Sequence, residues 1–283
     1  MPTEIECSNH ALARRSYALG HTPAEHERLV AQAHMIDPYL ERLFRDAGLG
    51  AGDRVLDVGS GLGDVALIAA RLVGPAGAVV GVDRDAAGLA RARERVAAAG
   101  WRNVRFVEAD IDAVQFDAPF DAIVGRFVLL FQPDPLAVLR RLAAWLRPGG
   151  VMVFQEPSWT IWRPLLAHLP LRSACVAIMH AAMVAAGAHP DMEFVLPRAF
   201  ADLGLERRNL RLEIPCGTDA SMRGSVHDLF RTLAPRIAEA RLSLAVLEPL
   251  ATLAERLDAE LDATGMCATR VGLAGAWARK PVG

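Results

Sequence analysis

The sequence is poor in lysine and in aromatic residues. The chain has 283 residues, of which 6% are aromatic, and arginine supplies nearly all of its 31 basic residues. Lys280 is the single lysine. Together with the abundance of alanine, this bias is typical of GC-rich coding and indicates no particular function.

Cysteine is also scarce. Cys7, Cys175, Cys216 and Cys267 lie far apart and form no C-x-x-C pair. This spacing excludes a disulfide framework and a structural zinc site. We therefore expect a protein without a metal site, located in the reducing cytoplasm.

Neither long apolar runs nor an excess of one charge is present. The formal net charge is −2, so the charge balance does not predict nucleic acid or an anionic membrane as a partner. No apolar run reaches membrane-span length, and residues 1–8 do not resemble a signal peptide. With 52% hydrophobic and 23% charged residues, the composition predicts one large globular domain or two small ones.

A glycine loop is the most informative stretch. Residues 55–58 are apolar except for Asp57, and residues 65–73 are rich in alanine and leucine. Gly59, Gly61 and Gly63 stand between them, so the stretch predicts a buried strand, a tight turn and a helix. Glycines let the backbone approach a bound ligand closely. A purely structural turn is the alternative.

The glycine spacing separates two kinds of ligand. A dinucleotide fingerprint requires G-x-G-x-x-G, with a pyrophosphate at the helix N-terminus. Here Asp64 occupies the third glycine position, where a carboxylate would repel phosphates, and the third glycine is Gly63. The loop therefore argues against a diphosphate.

The loop and its preceding acid resemble the first motif of class I S-adenosylmethionine-dependent methyltransferases. In that family the loop wraps the methionine part of the cofactor, which carries an ammonium and a sulfonium. The resemblance extends in register over residues 53–156 and includes the Pro-Gly-Gly turn before the fifth predicted strand. It implies that the loop binds the cofactor through Asp57, Gly59, Ser60, Gly61 and Gly63.

Two further acids follow predicted strands. Asp83 ends the second strand about 20 residues beyond the loop, the spacing at which an acid binds ribose hydroxyls, and Arg84 is its neighbour. By resemblance, Asp110 hydrogen-bonds adenine and Ile111 lies on the ring face. The alternative for Asp110 is a helix cap.

The remaining cofactor candidates flank this core. Arg126 and Phe127 end the fourth strand, where the family places the sulfonium and the acceptor. Arg126 could pair with the cofactor carboxylate or a substrate anion, or it could be a buried structural arginine. In the family, an N-terminal helical segment covers the pocket. Tyr17 and Gln32 could reach the cofactor from it, with a structural role in the cap as the alternative. We expect its first helix to stop at Pro38.

Several groups beyond the fifth strand could act as a general base for a weakly acidic acceptor. Glu156, at a strand's carboxyl end, is the first catalytic candidate, with anchoring of the lid as the alternative. His180 is the second, with a satisfied core histidine as the alternative. The other candidates are His168, His189, His227 and Asp228.

The resemblance implies an α/β fold: a doubly wound, mostly parallel, seven-stranded sheet of Rossmann-like methyltransferase type, with an N-terminal helical cap and helical lid insertions. The predicted segments are the cap (1–48), the cofactor-binding core (49–156), a lid insertion (157–195), a core helix and strand (196–216), a second lid insertion (217–265) and the final core strand (266–283). Extra core or a dimer surface is the alternative for the two insertions.

We therefore expect transfer of a methyl group from S-adenosylmethionine to a small, hydrophobic organic acceptor, in specialised metabolism. One alternative is a protein that binds this cofactor in a non-methylating role. Another is an NAD-dependent oxidoreductase, which Asp64 and the missing third glycine disfavour. The sequence leaves open a homodimer, the acceptor atom and the existence of a general base.

Overall fold

The structure is a computed structural model that describes residues 23–282, with the side chains of residue 33 and residues 35–282. The strands are β1 (Arg54–Val58), β2 (Ala78–Asp83), β3 (Val104–Glu108), β4 (Phe120–Arg126), β5 (Leu146–Ser158), β6 (Glu206–Glu213), β7 (Cys216–Gly217), β8 (Ala268–Thr269) and β9 (Gly272–Arg279). The helices are α1 (Pro23–Ala47), α2 (Asp64–Val73), α3 (Ala86–Ala98), α4 (Pro135–Trp145), α5 (Trp159–Trp162), α6 (Pro170–Ala185), α7 (Met192–Asp202), α8 (Ala220–Glu239) and α9 (Leu253–Thr264).

Seven strands form one sheet in the order β3-β2-β1-β4-β5-β9-β6. The first five are parallel, and β9 runs antiparallel to both β5 and β6. The predicted doubly wound, seven-stranded sheet is therefore confirmed. The strand order reverses between β1 and β4, and this is the point at which open α/β sheets bind ligands beyond their carboxyl ends.

Alternate residues of the central strands face two hydrophobic clusters. In β1, Leu56 and Val58 belong to one cluster, whereas Val55, which precedes Leu56, belongs to the other. Because successive side chains of a strand point to opposite faces, this split means that the sheet is covered on both sides. Buried parallel strands of this kind explain the nearly continuous apolar run before the glycine loop.

Helix α1 does not stop at Pro38, so the predicted break there is wrong. The helix begins at Pro23, as expected, and continues through Pro38 to Ala47. An interior proline removes one helical hydrogen bond and costs about 3 kcal/mol. Burial of Leu40, Leu43 and Phe44 against the sheet offsets that cost, since these side chains are almost fully excluded from solvent.

The two predicted helical insertions pack against each other through α6 and α8. The first predicted lid insertion (157–195) contains α5, a 3-10 turn and α6. Pro164 and Pro170 lie at the starts of the turn and of α6. A short sheet of β7 and β8, which the sequence did not predict, joins the ends of the second insertion. No helix among residues 23–282 is long and apolar enough to cross a membrane.

We predict that the close contact between Leu43 of α1 and Gly275 of β9 stabilises the packing of α1 on the sheet. A Cβ added at Gly275 of β9 would lie 2.8 Å from both methyl carbons of Leu43. Leu43→Ala should lower the free energy of unfolding by about 2–4 kcal/mol because it leaves a cavity. Gly275→Ala should lower it by about 1–2 kcal/mol through overpacking.

The double variant should lose less than the sum of the two single losses, because the new methyl group occupies part of the cavity. Urea denaturation of the three variants measures this coupling. Strict additivity would contradict a direct contact between the two sites.

Candidate functional site

The glycine loop connects β1 to α2 at the carboxyl edge of the sheet. Gly59, Gly61 and Gly63 have φ angles of +65°, +47° and +81°, a region that side chains with a Cβ rarely adopt. The backbone N–H groups of Gly59 and Ser60 donate to the carbonyl of Val82 on the neighbouring strand. The loop is therefore fixed to β2 and curves around an open space.

That space is a cavity of about 230 Å³, called here the loop cavity. Its wall combines the glycine loop, the ends of β2 and β4, part of α1 and the segments after β3 and β4. The wall residues are Ala33, Ile36, Val58, Gly59, Ser60, Gly61, Leu62, Asp64, Val65, Val82, Asp83, Arg84, Asp85, Ala109, Asp110, Ile111, Arg126, Phe127, Val128, Phe131 and Gln132.

Most of the predicted cofactor residues meet in this wall. They are Gly59, Ser60, Gly61, Asp83, Arg84, Asp110, Ile111, Arg126 and Phe127. Asp57 and Gly63 lie outside the wall. Tyr17 lies outside the described residues, and Gln32 is described only by its backbone in α1.

Asp83 holds the loop in place from the end of β2. Its two carboxylate oxygens accept hydrogen bonds from the N–H of Gly61, at 2.8 Å, and from the N–H of Asp85, at 2.9 Å. A carboxylate has about four acceptor positions, so both oxygens can also accept from the hydroxyls of a ligand. Asp83 therefore shapes the cavity and faces it.

A buried charge cluster lies beneath the loop. Asp57 is fully buried, and neither of its oxygens has a side-chain hydrogen-bond partner among the described residues. Burial raises the pKa of Asp57 well above its usual value, and the guanidinium of Arg126 opposes this shift. Arg126 itself is ion-paired with Asp37 of α1 at 2.7 Å. The ion pair favours a structural role for Arg126, one of the alternatives given above. The side chain also lines the loop cavity.

Gly63 has a packing role at the start of α2. A Cβ at this position would lie 3.0 Å from the Cβ of Ala92 and 3.2 Å from Phe106. Asp64, the next residue, is ion-paired with Arg95 at 2.6 Å. This pair reduces the repulsion that Asp64 alone would exert on a phosphate, a compensation that the sequence did not reveal.

The wall is nevertheless acidic. Asp64, Asp83, Asp85 and Asp110 line it, against two arginines, Arg84 and Arg126. Four carboxylates favour a cationic ligand over a diphosphate, because like charges repel in a partly desolvated cavity. A Cβ at Gly61 would meet no atom within 4 Å, so the loop leaves room for a ligand next to its backbone. The residues present therefore fit a nucleoside that carries positive charge.

A second cavity, of about 120 Å³, adjoins the first and is called here the lid cavity. It shares Ile36 and Phe127 with the loop cavity. Its wall is mostly apolar and is formed by Met35, Ile36, Phe127, Trp162, Ser221, Ser225, Asp228, Leu229, Arg270, Val271 and Leu273. Several of these belong to the predicted lid insertions. Apart from Asp228, already named as a candidate base, sequence reasoning did not identify them individually, because no local motif marks them.

Phe127 lies between the two cavities in a strained conformation. Its φ angle is +55°, which is uncommon for a residue with a bulky side chain. Its N–H donates to the carbonyl of Gln155, and the next three residues are also held through their backbone. The strand end therefore fixes this side chain where two ligands would meet.

Glu156, a predicted catalytic residue, lines neither cavity. Its buried carboxylate accepts from the backbone N–H groups of Val128, Leu129 and Leu130 at 3.1, 2.9 and 3.3 Å. Burial raises the pKa of Glu156 to about 7, against the opposing effect of these three donors. The geometry favours the alternative role, in which Glu156 anchors the segment after β4.

His180, the other predicted catalytic residue, also lies outside both walls. Its Nε2 is 2.9 Å from Oδ2 of Asp191. The other carboxylate oxygen of Asp191 accepts hydrogen bonds from the backbone N–H and the hydroxyl of Thr160. The pair joins α6 to the start of α7, and this favours the structural alternative. No group of three or more His, Cys, Asp or Glu within the described part of the chain could hold a metal ion.

We predict that Asp83→Ala weakens binding of S-adenosylhomocysteine by about 1–3 kcal/mol, because donors in the loop and the ligand lose their acceptor. Calorimetry measures the change. Asp53→Ala is a matched control, since Asp53 also accepts a backbone N–H, that of Gly50, but lies away from the cavity. Equal affinity of folded Asp83→Ala and wild type would contradict this site.

Glu156 should make stability depend on pH. Because the pKa of Glu156 is raised to about 7 in the folded state, that state binds more protons than the unfolded state between about pH 4.5 and 7. Stability should therefore fall as pH rises through this window. From pH 5 to 8 the loss attributable to Glu156 should be about 2–3 kcal/mol and should vanish in Glu156→Gln. Urea denaturation of the wild type and of Glu156→Gln across this pH range measures the effect. Parallel curves of stability against pH for the two proteins would contradict the prediction.

Comparisons with known proteins agree with this geometry. A family model described as "Methyltransferase domain" matches residues 49–193, just over half of the chain. Aklanonic acid methyltransferase DauC from Streptomyces sp. (strain C5) is 36% identical over 42% of this chain and 61% of its own length. Demethylmenaquinone methyltransferase from Staphylococcus aureus (strain JH9) is 34% identical over 42% of this chain and 48% of its own length. The chain thus matches about half of each of these relatives.

Solved structures share the fold. The YcgJ protein from Bacillus subtilis has a TM-score of 0.56 at 19% identity, covering 86% of this chain and 98% of that chain. Phosphoethanolamine N-methyltransferase 2 from Haemonchus contortus, in complex with phosphomonomethylethanolamine and S-adenosylhomocysteine, has a TM-score of 0.50 at 19% identity, covering 87% and 52%. The chain therefore belongs to the methyltransferase-domain family, and its resemblance to class I S-adenosylmethionine-dependent methyltransferases is confirmed.

Proposed function

We propose that the protein transfers a methyl group from S-adenosylmethionine to a small organic acceptor. One observation carries this proposal: two cavities of different character adjoin at Ile36 and Phe127. The loop cavity is acidic and lined by backbone, whereas the lid cavity is mostly apolar. Two ligands bound in these cavities would meet beside Phe127.

The loop cavity suits each part of the cofactor. Asp83 would bind the ribose hydroxyls, while Asp110 and Ile111 would bind the adenine. The glycine loop would hold the methionine part, and the acidic character of the wall as a whole favours its positive charge. When bound, the cofactor supplies a methyl group that its sulfonium already activates.

The protein's own contribution is then mainly positioning. Holding two reactants in line can supply several kcal/mol of rate acceleration without any acid or base. Phe127 would separate the cofactor from the acceptor except at the point of transfer, and the lid helices would exclude water. We infer that Glu156 and His180 serve this arrangement from outside, by anchoring the segment after β4 and the start of α7.

The acceptor class follows from the lid cavity. Its wall is dominated by apolar side chains, among them Trp162, Leu229 and Val271, which favours a hydrophobic acceptor. The two relatives are named for small organic compounds, aklanonic acid and demethylmenaquinone. A role in specialised metabolism, a cytoplasmic location and a homodimer stay predictions, as does the division of the chain into six segments.

Calorimetry with S-adenosylmethionine, S-adenosylhomocysteine and NAD tests the cofactor assignment. Gly61→Leu should abolish binding of the first two, because its side chain would enter the cavity. Gly52→Leu is a matched control: both glycines have positive φ angles and open space where a Cβ would lie, but Gly52 is away from the cavity. Preferential binding of NAD by the wild type would refute the proposal.

Transfer from methyl-labelled cofactor to candidate acceptors then separates catalysis from binding alone. Label in an organic product, lost in Gly61→Leu and kept in Gly52→Leu, is the expected result. Tight cofactor binding with no transfer to any hydrophobic acceptor would favour the non-methylating alternative.

A further inference from the structure

Six side chains beyond β4 are candidates for a general base, and they differ in whether they line one of the two cavities. Five line neither cavity: Glu156, His168, His180, His189 and His227. Asp228 does line the lid cavity. This position gives it a direct route to an acceptor bound there.

Asp228 stands on the inner face of α8. Ser221, Ser225, Asp228 and Leu229 all line the lid cavity, and their spacing of four, three and one residues places them on one side of the helix. The hydroxyl of Ser225 is already bonded to the carbonyl of Met222, and that of Ser221 lies 3.3 Å from the sulfur of Met35. The serines are thus engaged within the protein.

The Asp228 carboxylate, in contrast, bonds no other group within residues 23–282. Only its backbone carbonyl is engaged, with the hydroxyl of Thr232. The side chain is solvent-exposed, so it stands at the mouth of the cavity. An unbonded carboxylate at this place can take a proton from an acceptor and pass it to water.

The segment between β8 and β9 contributes a positively charged side chain to the same wall. Arg270 lines the lid cavity, and its backbone N–H donates to the carbonyl of Pro215. Its guanidinium lies 3.1 Å from the sulfur of Met35, which also lines the cavity. The wall of the lid cavity thus carries one positively and one negatively charged side chain, Arg270 and Asp228.

The rest of the wall suits an aromatic ring. Phe127 and Trp162 contribute two aromatic surfaces, and Ile36 and Leu273 contribute aliphatic ones. Aromatic rings pack favourably against such surfaces in edge or offset arrangements. A carboxylate acceptor would need no base, whereas an acceptor that arrives neutral and protonated would use Asp228.

We propose that the acceptor is an aromatic hydroxyl compound and that Asp228 is its general base. This inference rests on the proposed function and adds the acceptor atom and the residue that deprotonates it. Asp228 takes the hydroxyl proton as the oxygen forms a bond to the methyl carbon. The carbon–sulfur bond breaks and its electron pair stays on sulfur, giving an aryl methyl ether and S-adenosylhomocysteine. Asp228 then releases its proton to water.

The test uses two naphthols with the full chain. With 2-naphthol, Asp228→Asn should lower kcat/KM by about 100-fold or more, the scale of general base catalysis. With 2,4-dinitro-1-naphthol, which is ionised at neutral pH, no loss is expected, because no proton needs removal and the variant removes a like charge beside the anion. Asp228→Glu should restore about a tenth or more of the wild-type rate with 2-naphthol.

Glu239→Gln is the matched control on the same helix. Glu239 is a carboxylate at the end of α8 that pairs with Arg236 and lines neither cavity. It should behave as the wild type with both naphthols. Equal losses for the two naphthols in Asp228→Asn would overturn the assignment of a base and indicate a positioning role.

A binding measurement gives a second readout. In the presence of S-adenosylhomocysteine, 2-naphthoate should bind Asp228→Asn about three- to tenfold more tightly than wild type, since a like charge is removed. Unchanged affinity for 2-naphthoate would overturn the proposal that Asp228 faces the acceptor.

The outcome for the wild type separates this inference from the proposed function. Methylation of 2-naphthoate but of neither naphthol would overturn the hydroxyl class and leave methyl transfer standing. Failure to bind S-adenosylhomocysteine at all would overturn both.

Discussion

The site depends on the bonds that the Asp83 carboxylate makes to the backbone of the glycine loop. Through the N–H of Gly61 and that of Asp85, one side chain fixes the turn before α2 and the turn before α3. Both turns line the same cavity. Because β1 and β2 are parallel neighbours, the loop and the acid arrive at the same edge of the sheet. The bonds of Asp83 therefore fix the position of both turns in the wall of the loop cavity.

A second constraint fixes the boundary between the two cavities. The segment after β4 is held by the carboxylate of Glu156, which accepts three consecutive N–H groups. These bonds offset the strain of Phe127, whose φ angle is +55°. The ion pair of Arg126 with Asp37 connects the same strand end to α1. Buried polar side chains thus orient the backbone N–H groups of this segment, which apolar side chains cannot do.

The order of elements and most of the loop cavity could be predicted from local patterns. Glycines at 59, 61 and 63, an acid after β2 and an acid after β3 are spaced along the chain as the βαβ unit requires. The course of α1 through Pro38 could not be predicted, since the decisive gain is burial against β9, more than 200 residues away. The ion pair of Asp64 with Arg95 is non-local in the same way.

The sequence by itself determined the parallel sheet, the glycine loop and the acids that line the loop cavity, because each depends on short-range periodicity and turn chemistry. Only the tertiary structure decided which candidate side chain lines the lid cavity. In the sequence Glu156, His180 and Asp228 are all candidate bases, and Glu156 ranks first because it stands at the carboxyl end of a strand. Glu156 accepts from the backbone of the segment after β4, and His180 bonds Asp191 at the start of α7, whereas Asp228 is left at the lid cavity. No local pattern in the sequence marks these contacts.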